Sequence, residues 1–102
     1  MNLFDVKNTP NHNELVELLA KSKNVRIERI ISSGQISPKG FWYDQEENEF
    51  VALLQGEAII AYEDRNIKLK AGDTLIIPAH KKHRVDYTSD EPLCIWLCVF
   101  YS

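Results

Sequence analysis

Gly72-Asp73-Thr74-Leu75-Ile76-Ile77-Pro78-Ala79-His80-Lys81-Lys82-His83 is the stretch on which the fold turns. A Gly-Asp turn feeds a short apolar run, Thr74 to Ile77, and Pro78 stops it. Proline has no N–H to give a sheet ladder, so it marks the end of a strand and not its centre. A short loop then leads into a strand that starts near His83, expected to re-enter the sheet beside the strand just left. That start holds the His83 ring on a rigid element, where it can be aimed. Glu49, at the head of the strand Glu49 to Leu54, is its natural counterpart.

The chain has 102 residues, enough for one core and not two. A net charge of −3 argues against a general nucleic-acid binder, which carries a basic patch. There is no apolar run of about 18 residues to span a membrane. The amino end lacks the charged-then-apolar pattern of a secretory signal. Cys94 and Cys98 sit four apart on one strand, about 13 Å at the usual rise per residue, beyond the roughly 7 Å a disulfide can bridge. They read as reduced, packed thiols, and the expected location is the cytoplasm.

Residues 1–24 read as an N-terminal segment packing on a barrel of residues 25–102. Leu15, Leu18 and Leu19, with Glu14, Glu17 and Lys21 off their stripe, predict a short helix from Asn11 to Ser22. Asn11 with Glu14 resembles a capping box. Beyond Val25 helical periodicity disappears. About eight short runs separated by turn residues, the aromatic segment Phe41-Trp42-Tyr43 among them, predict an all-β antiparallel barrel or sandwich.

From Phe41 to Phe100 the chain resembles the cupin superfamily of small jelly-roll barrels. The second cupin motif is Gly, five residues, Pro, one residue, Gly, two residues, His, three residues, Asn. Gly72, Pro78 and His83 match it in register, with His80 in place of the second Gly and Tyr87 in place of the Asn. Glu49 and Gly56 match the end of the first motif. The histidine pair that opens that motif is absent; its places fall on Tyr43 and Gln45, or on Trp42 and Asp44. The segment Phe41 to Phe50 is also similar to one in one-domain cupins labelled mannose-6-phosphate-isomerase-like on fold similarity alone, and one fold hosts many functions.

The resemblance implies a jelly-roll barrel associating as a homodimer, to which the leucine spacing adds one short N-terminal helix. In metal-binding cupins two His, the Glu and the later His hold one divalent ion, and Glu49 and His83 remain of that set. Period-2 alternation puts Glu49 on the face of Val51 and Leu53, so a carboxylate facing inward needs a partner or an ion. Gln45 is a third possible ligand, giving a Gln45, Glu49, His83 set for one divalent metal ion (Zn, Fe, Mn or Ni). Tyr43, Asp44 and His80 are expected to line the pocket. The expected function is binding of a metal and a small molecule. The alternatives are a metal-free, sugar-like binding module, a mainly structural dimer, or a metal-dependent isomerase or dioxygenase. The sequence assigns no catalytic residue.

Overall fold

The computed structural model describes all residues, 1–102, as eight strands with no helix. They are β1 (Leu15–Lys21), β2 (Val25–Ser32), β3 (Asn48–Gln55), β4 (Glu57–Tyr62), β5 (Asn66–Lys70), β6 (Thr74–Ile77), β7 (His83–Thr88) and β8 (Cys94–Tyr101). A five-stranded sheet of order β1-β2-β8-β3-β6 faces a three-stranded sheet of order β5-β4-β7, and every pairing is antiparallel. This is the jelly-roll architecture expected.

The expected N-terminal helix is absent. Leu15 to Lys21 is an edge strand paired with β2, and its burial alternates along Leu15, Val16, Glu17, Leu18 and Leu19. Leu19 is an inserted residue between Leu18 and Ala20, a β-bulge in the ladder. Leu18 and Leu19, adjacent in sequence but differently buried, complete with Leu15 an i, i+3, i+4 pattern that imitates the stripe of a helix. A free row of β2 donors and acceptors outweighs the helix preference of Leu, Glu and Ala, because a pairing edge rewards the extended form. The aromatic segment expected as a strand contributes only a single bridge, Tyr43 to His83.

Cross-strand register fixes what faces the interior. Arg26, Phe100 and Glu49 share one rung across β2, β8 and β3; Glu28, Cys98 and Val51 share the next; Ile30, Trp96 and Leu53 the third. These inward residues meet Ile60 and Tyr62 of β4 and Leu69 of β5 in one core. The opposite face of the large sheet is also largely apolar, with Ile27, Ile31, Ile95, Leu97 and Phe50. Arg29 interrupts it and organises the amino end. Its guanidinium donates to Glu17 at 2.7 and 3.0 Å, and to the carbonyls of Asn2, Leu3 and Asp5 at 3.5, 3.1 and 2.9 Å. The first residues are thereby strapped across the outside of β1 and β2.

The loop after Pro78 does not return beside the strand it leaves. β6 lies against β3 in the large sheet, whereas β7 lies against β4 in the small one. The loop is held across the gap by Ala79 N–H donating to Asn48 Oδ1 and His80 N–H donating to the Gln45 carbonyl, at 2.9 and 2.8 Å. That crossing places His83 opposite Glu49. The residue at the centre of the loop, His80, has a φ of +64°, the left-handed conformation for which glycine is the easy choice. At Gly56 the constraint is tighter still: φ is +91°, and a Cβ there would stand 2.8 Å from the Cys94 sulfur and 3.0 Å from the Cys94 Cα.

Candidate functional site

Between the sheets lies a cavity of about 250 Å³. Its walls are apolar, with Val16 from β1, Ile30 from β2, Val51 from β3, Ile60 from β4, Ile77 from β6, Val85 from β7 and Trp96 from β8. Its polar lining is Glu14, Glu28, Tyr43, Gln45, Glu49, His83 and Cys98. Tyr43, Gln45, Glu49 and His83, singled out from the sequence, all reach it. Asp44 and His80, expected to line it, do not. They pair with one another on the surface, His80 Nδ1 to Asp44 Oδ1 at 2.8 Å, with both side chains substantially exposed. The φ of His80 turns its ring away from the barrel, toward the acidic loop.

His83 is set by three contacts. Its main chain exchanges two hydrogen bonds with Tyr43, at 2.7 and 3.2 Å, and its ring stacks on the Tyr43 ring at 5.3 Å. Its Nδ1 lies 2.9 Å from the Lys81 carbonyl, so Nδ1 carries the proton and Nε2 presents a lone pair to the cavity. Burial pushes the imidazole below its usual pKa, with the Lys81 carbonyl opposing. Nε2 stands 3.8 Å from Glu49 Oε1, too far for a hydrogen bond. With a neutral imidazole the two groups are not an ion pair.

Glu49 is 7% exposed. Burial pushes its carboxyl up to about 7, a donating Cys98 thiol and Arg26 pull it back, and the Glu28 and Glu14 carboxylates add to the rise. Burial, with Glu49 nearby, holds the Cys98 thiol well above its normal range, and both cysteines are free. Glu14 is likewise raised, chiefly by burial, and its one hydrogen bond comes from Ser32 Oγ at 3.3 Å. Glu28 is held by Arg26 Nε at 3.0 Å. The site therefore pairs a carboxyl that titrates near neutrality with an imidazole that stays neutral, two roles set by environment.

The family model for the cupin domain matches residues 30–100. The chain belongs to the cupin family. This cupin superposes with a TM-score of 0.94 on a candidate mannose-6-phosphate isomerase of Ralstonia eutropha JMP134, 38% identical over 100% of this chain and 96% of the other. A cupin superfamily protein of Desulfitobacterium hafniense DCB-2 matches at 0.78, with 25% identity over 93% and 83% of the two chains. An RmlC-like cupin of Desulfovibrio desulfuricans matches at 0.77, with 21% identity over 98% and 93%, a likeness of fold alone. A search of curated proteins finds no match.

Cupins often hold a metal, and the donor set here falls short of one. No three His, Cys, Asp or Glu side chains converge closely enough to grip an ion. Glu49 and His83 form a pair, and Tyr43 lies flat against the His83 ring where a further histidine ligand would be wanted.

Three lining residues escaped the sequence reading: Glu14, Glu28 and Cys98. Glu28 shares the face of Ile30 on β2, which is a usable signal. It was obscured because the other face of β2, with Ile27 and Ile31, is as apolar as the face toward the barrel. Glu14 falls in the first turn of the predicted helix, as the partner of Asn11 in a capping box and off the apolar stripe, which points it away from the barrel.

Proposed function

We propose that this cupin is a metal-free small-molecule-binding protein whose ligand occupies the cavity between the sheets, held by Glu49 and His83. One observation carries the reading: Nε2 of His83 and Oε1 of Glu49 face each other 3.8 Å apart with no bond between them. A polar ligand group entering beside this pair can satisfy both, within walls otherwise apolar, as small-molecule sites commonly are. The pair can also hold and pass a proton, because Glu49 titrates at about 7.

The competing reading is a divalent ion held by Gln45, Glu49 and His83. It is favoured by the Lys81 carbonyl fixing Nδ1 of His83, which leaves Nε2 as ligating histidines present it. Elemental analysis of untagged protein, after incubation with Mn²⁺, Fe²⁺, Ni²⁺ and Zn²⁺, separates the two. No stoichiometric metal is expected; one equivalent, lost in His83→Ala, would overturn the metal-free reading.

Association as a homodimer is part of the same proposal. The outer face of the large sheet ends on Ile76, 59% exposed beside Phe50, and light scattering would report a monomer if that face were simply solvated.

A further inference from the structure

We propose that the ligand of this cavity is a small organic cation, a protonated amine on a short apolar body, and not a phosphorylated or carboxylated compound. The inference rests on the pocket reading above and adds to it the chemical class of the ligand.

The charge inventory of the lining is one-sided. Glu14, Glu28 and Glu49 all reach the cavity, and no Lys or Arg does. The nearest cation, Arg26, is already engaged: its Nε donates to Glu28 at 3.0 Å, its Nη1 to Glu47 at 2.9 Å, and its guanidinium lies 4.3 Å over the Phe100 ring. Glu14 and Glu49 therefore have no Lys or Arg bonded to them, and Arg26 reaches Glu49 only at a distance. An anionic ligand would enter a half-open cleft lined by these three acids, with no cationic side chain to receive its charge.

A second observation, independent of the acids, points the same way. His83 is more than nine-tenths buried, and its Nε2 faces the cavity with no hydrogen-bond partner. With the proton on Nδ1, that nitrogen can only accept. A donor from the ligand would suit it, and an ammonium group offers three donors and no acceptor. Tyr43 and Trp96 add aromatic side chains to the lining, a surface compatible with a cation. The volume of about 250 Å³ sits just below the common range for ligand pockets, about 300–1,000 Å³, so the apolar body must be short.

Three probes of nearly one shape test the charge: benzylammonium, benzyl alcohol and benzoate, titrated into the full chain at neutral pH. The readout is the Trp96 indole N–H resonance in heteronuclear NMR, with the same titrations on Glu14→Gln and Glu49→Gln. The expected result is benzylammonium binding roughly tenfold or more tighter than benzyl alcohol, as charge-assisted donation allows, with benzoate silent. Each Gln variant should weaken the ammonium and spare the alcohol. Alcohol binding as tight as ammonium, or any preference for benzoate, overturns the inference while leaving the pocket reading intact. Silence from all three probes overturns both.

Discussion

Replacing Glu49 by Gln should stabilise the protein, and by an amount that depends on pH. Burial raises the folded-state carboxyl from 4.5 to about 7. The folded state therefore keeps a proton between those values that the unfolded chain has lost. Stability contributed by the neutral form is fully present below the unfolded value and is lost as pH rises through the folded one. At 1.36 kcal/mol per unit, the cost above the folded value is about 3 kcal/mol. A Gln side chain carries no charge, and its carbonyl can still accept from Cys98, so Glu49→Gln removes that cost. Urea unfolding in chelator-treated buffer should give the variant an advantage of about 3 kcal/mol near pH 8.5 and almost none near pH 4. Glu14, also raised, and His83, lowered, titrate in both proteins, so only their coupling to Glu49 enters the difference. An advantage equal at both pH values, or a variant less stable at pH 8.5, would refute the claim that the cavity holds this carboxyl against its charge.

Other outcomes follow from geometry. Gly56→Ala should cost about 2–4 kcal/mol in chemical unfolding, since it adds left-handed strain to a clash against Cys94 backbone. His80→Gly should change stability by no more than about 1 kcal/mol, because relief of strain at φ +64° offsets the lost bond to Asp44. Arg29→Ala should release the amino-terminal strap, leaving Glu17 unpaired and three carbonyls without their donor. Limited proteolysis should then cleave within the first ten residues faster than in the parent protein, with the barrel intact.

The barrel was legible in the sequence because its strands announce themselves twice, by alternation and by turn residues. Gly56 and Gly72 both occupy left-handed positions, φ +91° and +95°, so the motif glycines are backbone requirements as well as family marks. His80 shows the same requirement met by a residue that fits it less easily. The first strand was not legible. Its bulge at Leu19 and its partner strand are properties of the assembled sheet, and neither is written in residues 11–22. The loop after Pro78 misled for a related reason: shortness alone does not say whether a chain returns to one sheet or crosses to another. Glu49 and His83 could be paired from the motifs they carry. The acidic character of the cavity could not, because it needs Glu14, just before β1, and Glu28 of β2 brought together by an inward face that only the assembled sheet defines.

Nitrogen-15 NMR of the His83 ring, recorded on metal-free protein and then with Zn²⁺ or benzylammonium, tests the central claim most directly. A metal-free ligand pocket predicts a neutral ring protonated at Nδ1, with an Nε2 resonance that moves on adding the amine and stays put with one equivalent of Zn²⁺. A stoichiometric shift of Nε2 on adding Zn²⁺, with none from the amine, would contradict it.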